Sequence, residues 1–187
     1  MIERVQQTLA QGGEVWFGDQ TTLREFPPLR CAWARRGEQS IVVVSGRNAR
    51  RVIHGALNVV TGERVRVVRE RTRGEDVKVA VEALGNHHPQ TAKLLVLDNA
   101  PPHHTKVVRE AATSMGIEIA WLPFRSPELN PCEDLWRLLK ADVAANRVYT
   151  SVDELAEQAV SWLDSLSNDQ ALRCSGLSSS KFDWLAT

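Results

Sequence analysis

The run KLLVLD, residues 93–98, constrains the fold most tightly: it is short, almost wholly apolar and bounded by polar residues. A half-exposed strand alternates polar and apolar side chains, whereas an unbroken apolar run of this length suits a central strand covered on both faces. The rest of the chain divides around it. Ile2, Val5 and Leu9 share one helical face that ends at Gly12-Gly13. EVWFGD (14–19) is a strand, Pro27-Pro28 a break, and CAWARRG a second extended stretch. QSIVVVSG (39–46), VIHGALNVV (52–60) and ERVRVVR (63–69) follow, β-branched and separated by turns such as Thr61-Gly62, which predicts an antiparallel meander.

After Gly74 the period changes. Val77, Val81 and Leu84 recur at helical spacing up to Gly85-Asn86, and helices are expected over 104–115, 131–146 and 152–166, with a strand IEIAWL at 117–122. Strands first, then alternating helix and strand, describe an α/β chain with a mixed sheet. We divide it into a lead-in helix (1–13), one main domain (14–166) and a C-terminal extension (167–187), partly mobile and polar around Ser178-Ser179-Ser180.

With 187 residues, 43% of them hydrophobic, the chain can bury one full core. The formal net charge is zero, so overall charge does not advertise a nucleic-acid partner. Its distribution does: from Arg24 to Arg73 there are 12 arginines against four acidic residues, a candidate phosphate-facing surface. Three widely spaced cysteines, Cys31, Cys132 and Cys174, form no CxxC pair and suggest neither a disulfide framework nor structural zinc. No segment reads as a membrane span or secretory signal, and there is no GxxxxGK[ST] loop, so we expect a cytoplasmic protein with no membrane and no nucleotide cofactor.

Chemistry is concentrated in three acids at element ends. Asp19 closes the first strand, Asp98 closes KLLVLD, and Glu133 sits at a Pro-marked helix start. Each has a structural alternative. An Asp after a strand serves as a turn former, and Asn130, Pro131 and Glu133 fit N-cap, N1 and N3, with Glu133 turned back on the Asn130 amide. Taken together, three carboxylates delivered to one sheet edge read as a divalent-cation site for phosphodiester chemistry, because converging negative charges need cations to offset their repulsion.

These residues carry a family resemblance. Asp98-Asn99-Ala100-Pro101 with His103, and Ser126-Pro127-Glu128-Leu129-Asn130-Pro131-Cys132-Glu133, resemble the second and third signatures of DDE transposases of the mariner superfamily, in the bacterial branch of IS six-thirty-like insertion sequences. Between Asp98 and Glu133 lie 34 residues, a spacing familiar in that superfamily. Asp19, followed by Pro27-Pro28 and Trp33, resembles the first signature, although Gln20 stands where many members have Glu. Members also carry a helix-turn-helix region ahead of the catalytic domain, which is expected to be missing from this chain.

The resemblance implies a ribonuclease H-like fold, a five-stranded mixed sheet flanked by helices. It implies that Asp19, Asp98 and Glu133 are catalytic and hold two Mg2+ ions, or Mn2+ in their place, with Asp98 bridging. Gln20, Asn99, Asn130 and His103 would support that site. Arg35, Arg36, Arg47, Arg50, Arg51 and Arg125 are candidates to contact double-stranded DNA, and the active complex is expected to be a homodimer. The implied activity is DNA strand cleavage and transfer by in-line displacement at phosphorus. A catalytically idle regulatory partner of a full-length transposase, or a ribonuclease H-like nuclease, are the alternatives.

Overall fold

A computed structural model describes residues 1–38, 41–44 and 46–185. Five strands form one sheet in the order β3-β2-β1-β4-β5. These are β1 (Glu14–Arg24), β2 (Arg50–Asn58), β3 (Arg64–Arg69), β4 (Lys93–Leu97) and β5 (Ile117–Trp121). β1 runs antiparallel to β2, from Trp16 opposite Asn58 to Arg24 opposite Arg50, and parallel to β4. β3 continues the antiparallel half and β5 the parallel half. This is the ribonuclease H-like arrangement, and every residue of β4 is buried, as its unbroken apolar run requires.

Strand alternation builds two cores. Val15 and Phe17 of β1, Ile53 and Leu57 of β2, and Leu94 and Val96 of β4 face one layer. That layer contains α1 (Ile2–Ala10), α4 (Pro131–Leu139), α5 (Val152–Ser165) and α6 (Asn168–Cys174). Trp16, Leu95 and Leu97 face the other, against α2 (Gly74–Asn86) and α3 (Lys106–Ser114). Fully burying side chains such as Phe17 or Leu94 contributes about 1.5–3 kcal/mol each. No helix among the described residues is long and apolar enough to cross a membrane.

The structure departs from the sequence expectations in four places. Ile41–Val44 form no strand, and CAWARRG pairs with nothing among the described residues; Gln39, Ser40 and Ser45 of the expected 39–46 strand lie outside them. Ile41 and Val43 are exposed. β-propensity becomes a strand only where another strand accepts its hydrogen bonds, and both sides of β2 are already taken by β1 and β3. Second, α4 stops being α-helical at Leu139 and runs on through a π-turn, Lys140–Ala144, with Ala145 N–H donating to the Lys140 carbonyl at 2.9 Å.

Third, β1 does not end at Asp19 but runs on to Arg24, because β2 pairs with it as far as Arg50 opposite Arg24. Fourth, beyond residue 166 the chain is packed as far as it is described. Ser167 caps α6 reciprocally with Gln170, and Ala171 and Phe182 are buried. Even the serines are used, since Ser179 Oγ donates to the Gly176 carbonyl at 2.6 Å.

Candidate active site

Asp19 lies within β1, opposite Gly55 of β2, and alternation turns it toward the layer that holds α4. It is buried, only 8% exposed. Burial first, then the negative charge of Glu133 and, more weakly, that of Asp98 push its carboxyl up to about 7, against lowering by the Gln20 backbone amide and His103.

Asp98 follows β4 at once and has the opposite environment. Its side chain is half exposed, and its Oδ1 receives His103 Nδ1 at 2.7 Å and the Ala100 amide at 3.0 Å. The His103 contact is the main reason its carboxyl is held below the usual range. His103 is fully buried, in a short 3-10 turn, Pro101–His104. Its other nitrogen meets the Gln20 side chain at 2.5 Å. Gln20 points to the opposite face from Asp19, so a polar chain Gln20–His103–Asp98 links the first strand to the second acid. Asn99 donates to the Leu122 carbonyl at 2.5 Å, fixing the Asp98 turn against the end of β5.

Glu133 occupies the first turn of α4, and the capping alternative is settled against it. Asn130 is the N-cap, its side-chain oxygen accepting from Cys132 N–H at 3.1 Å, while its own backbone N–H donates to Pro127. The Glu133 carboxylate is exposed and makes no hydrogen bond or ion pair with the described residues. Two further contacts dock this helix start on β1: Cys132 Sγ donates to the Phe17 carbonyl at 3.1 Å, and Asn130 Nδ2 to the Gly18 carbonyl at 3.4 Å. One turn on, Trp136 is buried over Gly55, where an added Cβ would come within 2.6 Å of its ring. The bare backbone at Gly55 is what lets α4 approach Asp19.

The three acids line one open cleft of about 280 Å3, together with Asn99, Asn130, Phe124 and Arg125. Their oxygens are not gathered within 4.8 Å of one another, as donors around a single ion would be. The residues fit divalent cations of the Mg2+ class: all three donors are oxygen acids, one is crowded by like charge, and one has no protein partner.

Of the arginines singled out from sequence, Arg125 lines this cleft. Arg35, Arg36 and Arg50 are exposed. Arg51 grips Asp153 at 2.7 Å, and Arg47 pairs with Glu25 at 3.1 Å. Along β3, Arg66 pairs with Asp164, Arg69 with Asp76, and Arg64 donates to the Leu166 carbonyl. Much of the positive charge between Arg24 and Arg73 therefore binds the helices to the sheet, and the phosphate-facing surface is smaller than the arginine count suggests. Sequence reasoning passed over Phe124, 81% exposed at the cleft. An aromatic beside Arg125 in the PFRSP stretch was the available signal. Cys132 and Gly55, which dock α4, gave no sequence signal that distinguishes them from ordinary core residues.

Comparison with known proteins agrees with this geometry. Residues 14–156 match the DDE superfamily endonuclease family. A curated relative, the insertion element IS630 uncharacterized 39 kDa protein of Shigella sonnei, is 23% identical over 156 residues, covering 82% of this chain and 45% of its own length. The uncharacterized protein y4pE/y4sA of Sinorhizobium fredii is 34% identical over 62 residues, 33% of this chain and 44% of that protein. The chain thus spans about half the length of the curated relatives it matches. Among solved structures, the Mos1 mariner paired-end complex with Mn superposes with a TM-score of 0.71 at 15% identity, over 98% of this chain and 58% of that one. The catalytic domain of Mos1 mariner transposase gives 0.62 at 14% identity, over 98% and 89%. At such identities the likeness is one of fold, while the family match covers most of the chain and all three acids: this protein belongs to the DDE superfamily endonucleases.

Proposed function

We propose that this chain is the catalytic part of a transposase, cutting DNA and transferring strands by in-line displacement at phosphorus. The observation that carries the reading is the convergence of Asp19, Asp98 and Glu133, from β1, the end of β4 and the start of α4, on one open cleft. The solved Mos1 complexes, which contain transposon ends and Mn or Mg, support DNA as substrate and divalent cations as cofactors.

Two Mg2+ ions held by the three carboxylates would supply Lewis-acid stabilisation of the attacking and leaving oxygens and lower the pKa of the nucleophile. The protein's part is placement. Asp98, its Oδ1 already committed to His103 and Ala100, would hold a cation through Oδ2. Asp19 and Glu133 would complete the set of holding carboxylates, and Asn130 fixes the start of α4, with Glu133, relative to β1. Arg125 would meet a phosphate and Phe124 stack on a base, since aromatic faces accept any base. Arg35, Arg36 and Arg50 extend the phosphate contacts. Arg47 and Arg51 would join them only by leaving their present carboxylate partners.

The same reading takes the active unit as a homodimer. Between β1 and β2, Leu29, Trp33, Ile41 and Val43 stand exposed, with Trp33 wholly so, which suits apolar docking on a second copy. The test of the function is Asp98→Asn. We expect loss of Mn2+-dependent cleavage of double-stranded DNA by at least about 1,000-fold, with the far-UV circular dichroism unchanged, in line with removal of a metal ligand. Cleavage retained in that variant contradicts the proposed mechanism.

A further inference from the structure

At the end of the sheet opposite the carboxylate cleft, three side chains from separate elements face one another. Glu63 lies in the turn between β2 and β3, and His87 and His88 follow α2. Their potential ligand atoms all lie within 4.8 Å of one another. His88 adopts a left-handed backbone, φ 50°, and the adjacent imidazoles end with ring centroids 4.1 Å apart, although neighbouring side chains ordinarily diverge.

The rings are oriented by their surroundings. His88 Nδ1 meets Glu14 Oε1 at 2.7 Å, and its Nε2 lies 3.8 Å from Glu63 Oε1. This is the carboxylate–histidine pairing that orients a ligating imidazole. His87 Nε2 is shielded from solvent and has no hydrogen-bond partner, yet lies 3.9 Å from Glu63 Oε2. The His87 ring is held edge-on by Trp16 at 5.4 Å. Glu63 Oε2 is held in the turn by the Thr61 hydroxyl, and Lys93 donates to the His88 and Thr91 carbonyls, fixing the loop that carries both imidazoles.

We propose that Glu63, His87 and His88 bind a transition-metal ion of the Zn2+ class, with Glu14 as the positioning residue behind His88 and a fourth position left to solvent. Around a tetrahedral ion with bonds of about 2.0–2.1 Å, neighbouring donors stand about 3.3 Å apart. Closing the two histidine–Glu63 gaps therefore takes about half an ångström each. Two imidazoles and one carboxylate favour Zn2+, Co2+ or Ni2+, whereas the all-oxygen cleft favours Mg2+ or Mn2+. Five steps along β1 take the chain from Glu14 to Asp19, roughly 16 Å of strand, so the two metal classes would not compete for ligands. The bound ion would clamp the β2–β3 turn to the end of α2. The inference does not depend on the transposase reading.

The experiment uses the untagged chain, stripped with chelator and held in saturating Mg2+, titrated with Zn2+ at pH 7.5 against a chromophoric competitor. One ion per chain is expected, with at least a tenfold loss of affinity in Glu63→Gln, His87→Ala and His88→Ala and in the positioning variant Glu14→Gln. The Asp19→Asn/Asp98→Asn protein should bind as tightly as wild type. Substitution of Co2+ into the wild-type protein should give visible bands of a tetrahedral nitrogen–oxygen site, which tests the assignment even if a His variant folds poorly. No stoichiometric Zn2+ binding, binding lost with the cleft carboxylates, or a thiolate charge-transfer band placing Co2+ on a cysteine would each overturn it.

Discussion

Asp19 and Asp98 line the same cleft from adjacent parallel strands, but one is buried mid-strand under α4 and the other stands half exposed in a turn braced by a histidine. Burial and two neighbouring carboxylates push Asp19 up to about 7, whereas His103 and the Ala100 amide hold Asp98 below the usual range. The lesson is that residue type does not fix role. A strand position holds a carboxylate rigidly at an electrostatic cost, and a turn position holds one that the protein stabilises by itself.

The largest test of that contrast is Asp19→Asn in metal-free protein. The carboxyl is raised in the folded state from an ordinary 3.8 to about 7, so Asp19 costs stability progressively as pH rises between those values, and in full above the upper one. At 1.36 kcal/mol per pKa unit the cost is on the order of 4 kcal/mol. Denaturant melts at pH 8 should therefore show Asp19→Asn more stable than wild type by a few kcal/mol, with the gain vanishing near pH 4. An equal gain at both pH values would mean that charge is not its source.

A smaller effect should come from Gly55→Ala. Its methyl group would be driven into the Trp136 ring and displace α4, with Glu133, from Asp19. Overpacking of this kind costs about 1–3 kcal/mol. The variant should lose stability by that amount in chemical unfolding and also narrow the pH-dependent gain of Asp19→Asn, because Glu133 moves away. If activity survives unchanged, the close approach of α4 is not what sets the site.

The smallest effect is predicted for Asp98→Asn without metal, and it has the opposite sign. A carboxyl lowered in the folded state contributes stability above its unfolded pKa, lost as pH falls through the folded value. Because its side chain is 49% exposed, solvent screening should keep the loss below about 1 kcal/mol at pH 7. A stabilisation instead would place Asp98 in the same crowded field as Asp19.

How much of this was readable in the sequence depends on whether a residue's role is local. The burial of β4 and the position of Asp98 at its end were legible because apolar runs and turn residues are local signals, whereas Asp19, expected to close its strand, stands in the middle of β1, which the β-branched and polar residues after it carry on to Arg24. Glu133 was ambiguous, since a cap and a ligand share the same helix position; the Asn130 amide, which donates to Pro127 and not to Glu133, rules out the cap. Ile41–Val44 misled because strand propensity says nothing of whether an edge is open. Arg64 and Arg66 of β3 misled in the same way, their partners lying about 100 positions away in Leu166 and Asp164. His87 and His88 carried no signal until the sheet brought Glu14 and Glu63 to them.

The central claim is that Asp19, Asp98 and Glu133 form one cation site, and thermal unfolding with and without millimolar Mn2+ tests it most directly. The comparison is between wild type and Asp19→Asn/Asp98→Asn, both carrying His87→Ala and His88→Ala so that only the carboxylate cleft responds. At about 100 times its dissociation constant the ion should add roughly 2.7 kcal/mol, raising the Tm of the protein with intact carboxylates and leaving the doubly substituted one unmoved. An equal rise in both would place the ion elsewhere and contradict the account.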